Sequence, residues 1–197
     1  MIFTYRPPPQ KLYIEDLRRI VPFARRKATK MILGMSTPLF TQIHVIISLI
    51  AIGSGFIVAF GMIAGRLLPR WTALFVVTTV LTSVTGFFFP IHGVTPGIVL
   101  GVVSLAVLLF VILARYSKHL SNSWRRTYVI TAMIALWLNF FVLIAQSFQK
   151  IPALHTLAPT GTEPAFKISQ LIALILFVTL TILADKKFRF ASPDATA

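Results

Sequence analysis

Residues Trp71 to Ala114 read WTALFVVTTVLTSVTGFFFPIHGVTPGIVLGVVSLAVLLFVILA, forty-four positions without an Asp, Glu, Lys or Arg. A membrane-crossing helix needs about 20 apolar residues, and no water-soluble core accommodates an uninterrupted run twice that length. The run is broken only at Pro90-Ile-His-Gly-Val-Thr-Pro-Gly97, whose two prolines and two glycines spell a turn. Two antiparallel spans joined by a tight hairpin fit the stretch, and they make the chain a polytopic membrane protein.

The rest of the composition agrees. Hydrophobic residues make up 56% of the 197 positions and charged residues 12%, with a mean hydropathy of +0.84. There is no cysteine, so disulfides, thiolate metal sites and iron–sulfur ligation are excluded. The net charge of +14 would suggest nucleic acid in a soluble protein. Here nearly every Lys and Arg lies outside the apolar stretches, so the partners expected are the bilayer itself and anionic lipid headgroups at the basic loops, with no nucleic acid.

Working outward from the central pair, the hydropathy pattern predicts an all-α bundle of five transmembrane helices, four long and one short. The spans cover about residues 40–65, 71–89, 97–114, 127–149 and 168–184, the last being the shortest. They fall in a bundle region 39–185, between a basic N-terminal extension, 1–38, and a C-terminal tail, 186–197. Trp71, the run Phe87-Phe88-Phe89, and Tyr116, Trp124 and Tyr128 sit where interfacial anchors belong. No internal repeat is visible, and an odd helix count argues against the duplicated halves of many transporters.

Basic residues set the orientation. Arg66, Arg70, Arg115, Lys118, Arg125, Arg126, Lys186, Lys187 and Arg189 all fall on one side, against Lys150 and Lys167 on the other. The bundle alone therefore predicts a cytoplasmic C-terminus and an external N-terminus. The extension disagrees, because Arg6, Lys11, Arg18, Arg19, Arg25, Arg26, Lys27 and Lys30 would be retained inside by the same rule. Two resolutions stand. In one, translation begins at Met35, leaving a short neutral start that crosses easily. In the other, the extension is an amphipathic interfacial helix with Ile14, Leu17, Val21 and Ala24 on one face, weakened by Pro22.

Small residues indicate how the helices meet. Ala51, Gly55 and Ala59 recur at four-residue spacing, Gly61 and Gly65 follow, and the third span opens with Gly97 and Gly101 ahead of Ser104. Such rows let backbones approach closely where packing, rather than the exclusion of water, holds helices together. Asn139, in mid-membrane beside Trp137, is expected to bond across to a neighbouring helix. Thr78, Thr79, Thr82, Ser83 and Thr85 are open to two readings: hydroxyls bonded to carbonyls of their own helix, or the lining of a polar path.

Histidines carry the one pattern with cofactor chemistry. His44, His92 and His155 all fall at the external end in this topology, where imidazoles ligate haem iron or a divalent metal, with Gln42, Gln146, Gln149 and Glu163 as supporting groups. The spacing matches no strong metal motif, and the plainer reading is that these histidines bond backbone or water. His119 faces the opposite side and is solvated.

The connection Lys150-Ile-Pro-Ala-Leu-His-Thr-Leu-Ala-Pro-Thr-Gly-Thr-Glu-Pro-Ala-Phe-Lys167 is apolar and proline-rich, suited either to cover the bundle mouth or to serve as an ordinary connector. With Ser48-Leu-Ile-Ala-Ile-Gly-Ser-Gly55, Thr82-Ser-Val-Thr-Gly-Phe-Phe-Phe-Pro90 and Asn139-Phe-Phe-Val-Leu-Ile-Ala-Gln146, it gives the chain its resemblance, over about residues 40–185, to a group of small uncharacterised bacterial multi-span inner-membrane proteins. The resemblance implies an inner-membrane location and a start near Met35. It implies no catalytic residue.

The five acids, Glu15, Asp16, Glu163, Asp185 and Asp194, lie outside the spans, and no paired carboxylates or Ser/His/Asp arrangement appears. An enzyme is therefore disfavoured. A non-catalytic accessory or scaffold membrane protein without a cofactor is the leading expectation. A small b-haem or metal-binding electron-transfer protein comes second, and a neutral-solute channel or transporter third. Start at Met35 predicts that N-terminal sequencing of native protein yields Met35 or its successor; a peptide containing Tyr13 to Leu17 would sink that start.

Overall fold

Proline decides where most of these helices begin. Pro69, Pro96, Pro152 and Pro164 each occupy the first turn of a helix, where the missing N–H is not needed and the fixed φ is already helical. The computed structural model describes residues 31–89, 95–121 and 123–188. The helices are α1 (Thr37–Ile63), α2 (Pro69–Gly86), α3 (Pro96–Ile112, continued by a π-helical turn Leu113–Ser117), α4 (Trp124–Lys150), the short α5 (Pro152–His155) and α6 (Pro164–Lys187).

The chain divides into two units, residues 1–37 and 38–197. In the first, strands β1 (Met31–Ile32) and β2 (Met35–Ser36) pair antiparallel, Met31 with Ser36 and Ile32 with Met35. Leu33 and Gly34 turn the hairpin with φ of 51° and 78°, the two positive values that a tight two-residue turn requires. The interfacial helix considered for Ile14 to Ala24 lies outside the described residues.

The second unit is the helical bundle, in which four helical segments among the described residues are long and apolar enough to cross a membrane: Thr37–Ile63, Pro96–Ser117, Trp124–Lys150 and Pro164–Lys187. The expected order of lengths is corrected here. The last span, expected to be the shortest, has 24 residues, because its helix starts at Pro164 and runs through Asp185. The helix from Pro69 is the short one, with 18 residues, and Arg70 and its hydroxyl side chains dilute its apolar character. Phe87, Phe88 and Phe89, placed in that span from the sequence, lie beyond the helix end.

Helix α4 is central. Tyr128, Val129, Ala132, Met133, Ala135, Leu136 and Leu138 are buried along it, and it packs against both α3 and α6. Phe140 meets Phe56 of α1 and Phe177 of α6 at ring-centroid distances of 5.8 and 5.5 Å, tying three helices through one aromatic cluster. Apolar side chains cover the outside. On α6, Ile168, Leu171, Ile172 and Ile175 are each more than half exposed, while Ser54, Thr72, Thr78, Thr79, Ser83 and Ser104 are buried. An apolar exterior around buried hydroxyls is the distribution that lipid selects and water does not.

The glycines part into two groups. At Gly55 an added Cβ would lie 2.5 Å from Leu136 Cδ1 and 2.9 Å from Phe75 Cε2, and at Gly101 it would lie 2.9 Å from Phe87 Cζ. At Gly61 it would strike Leu68 at 2.7 Å, where the chain folds back after α1. Gly65 stops α1: it has φ +71°, its N–H donates to the Met62 carbonyl, and the Arg66 N–H donates to that of Gly61, a Schellman closure. Gly97 lies exposed in the first turn of α3 beside its own N-cap, Thr95.

Gly55→Val should therefore lower the thermal stability of detergent-solubilised protein by about 1–3 kcal/mol through overpacking. Gly53→Ala, two residues away with nothing within 4 Å of the new methyl, should leave the melting temperature almost unchanged.

Candidate functional site

Alternation of α1, α2, α3, α4 and α6 sorts the chemistry of the bundle to its two ends. At one end lie His44, the end of α2 with Phe89, and the connection from α4 to α6 through α5. His44 sits two turns into α1, and its Nδ1 is 2.7 Å from Thr85 Oγ1 on α2. The Thr85 hydroxyl is already donated to the Leu81 carbonyl, also at 2.7 Å. A hydroxyl has a single proton, so His44 Nδ1 must be the donor in this pair, and Nε2 retains the lone pair in the neutral ring. Phe89 meets the imidazole edge-on at 5.2 Å and itself packs against Phe40 at 5.2 Å. Gly86 lies beside the ring, where an added Cβ would make ordinary contact with His44 Cε1 at 3.9 Å.

The other expected ligands do not join His44 in a described site. His155 stands exposed on α5, and His92 lies outside the described residues. Among the described residues no group of three or more His, Cys, Asp or Glu side chains converges on one point. Of the groups expected in support, Gln42 and Gln146 are exposed, Gln149 lines a cavity described below, and Glu163 is turned into its own loop.

That loop covers the end of α4. Ala158 is buried, and the rings of Phe148 on α4 and Phe166 on α6 meet edge to face at 5.6 Å. Between loop and helices lies a cavity of about 310 Å³, lined by Ala145, Phe148, Gln149, Ala158, Pro159, Thr160, Gly161 and Phe166. Glu163 holds the loop in place. Its Oε1 accepts from the Thr160 N–H at 3.0 Å and the Thr160 hydroxyl at 2.8 Å, and its Oε2 accepts from the Thr162 N–H at 2.9 Å. Desolvation opposes ionisation of this carboxyl, but the hydrogen bonds from Thr160 and Thr162 outweigh it and hold the pKa at about 2.

Inside the bundle several polar groups bond a neighbouring helix or a carbonyl of their own helix. Asn139 Nδ2 donates to Thr79 Oγ1 on α2 at 3.3 Å and to its own Ala135 carbonyl at 3.2 Å. Thr78 and Thr85 donate to carbonyls a turn back. The Thr82 hydroxyl and the Trp137 indole N–H are buried without a partner.

The opposite end is basic. Tyr128, fully buried, bonds Thr72 at 3.1 Å and so pins the start of α2 to the start of α4. Arg125 Nη1 donates to the carbonyls of Asp185, at 3.0 Å, and Phe188, at 2.5 Å, capping the C-terminus of α6 with a cation. Asp185 in turn binds Arg125 at 3.4 Å and Arg126 at 3.2 Å. In the sequence these residues read only as charges flanking the spans. Their role as a clamp between α4 and α6 depends on a separation of about 60 positions that no local pattern reveals.

Comparison of the chain with protein-family models, with curated proteins and with solved structures finds no match in any of the three.

Because the Glu163 carboxyl lies below its ordinary value of 4.5, the stabilisation it gives the loop is fully present above that value and is lost as the pH falls toward about 2. Amide hydrogen exchange at Thr160 and Thr162 should accelerate on Glu163→Gln at neutral pH, beyond the intrinsic rate difference. Equal protection in the variant would show that the carboxylate does not hold the turn.

Proposed function

We propose that this chain is a five-span inner-membrane protein with a cytoplasmic C-terminus, serving as a non-catalytic accessory or scaffold subunit. In this reading α2 completes the bundle as its fifth crossing. Its 18 residues reach about 27 Å at the 1.5 Å rise of an α-helix, close to the hydrocarbon thickness, and its hydroxyls face protein rather than lipid. The basic clustering at the ends of α1, α3 and α6 and the starts of α2 and α4 supports the orientation, and the resemblance over residues 40–185 supports the location.

The observation that carries the reading is how the buried polar groups are used. Asn139 binds Thr79, Tyr128 binds Thr72, and Ser54 and Thr78 bind their own helices. The first two bonds lock helices together and the last two close within a helix, so none of these groups is presented to a substrate. Among the described residues the one imidazole within the spans, His44, is clamped between Thr85 and Phe89.

A second reading draws on the same histidine. Donation from Nδ1 to a fixed acceptor is how a protein orients an imidazole whose Nε2 binds a metal or haem iron, so a b-haem or metal centre is the alternative that the His44–Thr85 pair favours.

Protein purified in mild detergent from its native membrane should be colourless and metal-free in oxidised and dithionite-reduced spectra and metal analysis, and cross-linking before extraction should yield a discrete complex with another membrane protein. A Soret band or stoichiometric metal would replace the accessory reading with the cofactor one. A colourless protein that cross-links to nothing would remove the scaffold role.

A further inference from the structure

Arg115 differs from the other cations at the basic end. Asp185, the one carboxylate among the described residues there, is taken by Arg125 and Arg126. Arg115 has no such partner, yet its side chain is not spread on the surface: the residue is only partly exposed, and its Nε is sealed from solvent without a hydrogen-bond acceptor. Its guanidinium lies over the ring of Tyr116, 5.5 Å from the centroid.

The backbone is distorted where this happens. Helix α3 widens into the π turn Leu113–Ser117, closed by the Lys118 N–H on the Leu113 carbonyl at 2.9 Å and the Leu120 N–H on the Ala114 carbonyl at 3.0 Å. Two non-glycine residues follow in the left-handed region, His119 at φ 49° and Leu120 at φ 61°. Each is an unfavourable conformation, and π turns of this kind gather at functional sites. Leu120 is buried after the reversal, Tyr116 and Lys118 are exposed, and Arg115 is partly exposed, with its Nε sealed from solvent.

A buried guanidinium nitrogen without an acceptor is costly, and the acceptor best matched to a planar fork of N–H donors is a phosphate or carboxylate. The neighbouring surface says which. Leu109 and Phe110 of α3, within two turns of Arg115, are about half exposed and apolar. Trp71 and Tyr116, each more than two-fifths exposed, mark the headgroup level beside them. An anion arriving at that level next to that face is attached to acyl chains.

We propose that Arg115 is a binding site for the phosphate of an anionic phospholipid, built by the π turn at the end of α3. The site rests on α3 crossing a bilayer.

The test uses the full chain in detergent, with dioleoyl phosphatidylglycerol, dioleoyl phosphatidylcholine or inorganic phosphate added separately, read by native mass spectrometry and by thermal shift. Phosphatidylglycerol should remain bound and raise the melting temperature, and phosphatidylcholine should not. Arg115→Gln should weaken phosphatidylglycerol binding about tenfold, Arg115→Lys should restore part of it, and Arg66→Gln should leave it within twofold. Equal retention of both lipids by the wild type, or unchanged binding in Arg115→Gln, would overturn the site; stabilisation by inorganic phosphate alone would reassign it to a soluble anion and overturn the lipid assignment. If Arg115→Gln does not fold, retention by the wild type and by Arg115→Lys decides the matter. Resistance of the protein to alkaline carbonate extraction reports separately on the membrane reading, so loss of the lipid site with retained insertion leaves that reading intact.

Discussion

The approach of α1 to the rest of the bundle at Gly55 is the constraint from which much of this structure follows. Leu136 and Phe75 occupy the space that any side chain at Gly55 would claim. That one missing methyl lets α1 meet α2 and α4 together, and one turn of the same interface brings Phe56 against both Phe140 and Phe177. In lipid there is no expulsion of water to force helices together, so close fit must supply the attraction by dispersion. The buried face of α1 carries Ala51, Ser54, Gly55, Val58, Ala59 and Met62 for the same reason.

Polar bonds then specify what packing alone leaves degenerate. A bundle of apolar helices slides and rotates at small cost, whereas Asn139 on Thr79 and Tyr128 on Thr72 each fit a single register between α2 and α4. The Arg125, Arg126 and Asp185 cluster does the same for α4 and α6 at the membrane edge, where partial exposure keeps the desolvation cost of the charges moderate. At the opposite end the His44–Thr85 pair sets α1 against α2. Three helix pairs are thus pinned by side chains that are remote in sequence and adjacent in space.

The two ends differ in character as a consequence of topology. Successive long helices run in alternating directions between the histidine end and the basic end, so each of them has a terminus at the basic rim. One end has a proline-rich loop clamped by a carboxylate over a small cavity. The other has a distorted helix end and a buried guanidinium nitrogen, Arg115 Nε, without an acceptor. Lipid and any partner therefore meet quite different chemistry on the two sides.

Much of this architecture was legible in the sequence, because the bilayer imposes a simple rule: a long apolar run without charge must be a helix whose backbone satisfies itself. Four of the five expected spans follow from that rule directly, and the packing row through Gly55 and Ala59 follows from the need for small residues at interfaces. Hydropathy was a poorer guide to length, underrating α6 and overrating the helix from Pro69, since Phe87 to Phe89 are apolar yet lie past its end and fold back, Phe87 on Gly101 and Phe89 on His44. Asn139 was readable as an interhelical donor because an amide at mid-membrane has little else to bond. Its acceptor, the pairing of His44 with Thr85, the clamp on Asp185 and the π turn that carries Arg115 were not readable. Each depends on which faces of two helices meet, and that is decided by the shapes of many packed side chains at once. Composition and period determined that this protein is a bundle of apolar helices with one basic rim; only tertiary packing decided which of its few polar groups find partners and which, like the Thr82 hydroxyl and the Trp137 indole N–H, are buried without one.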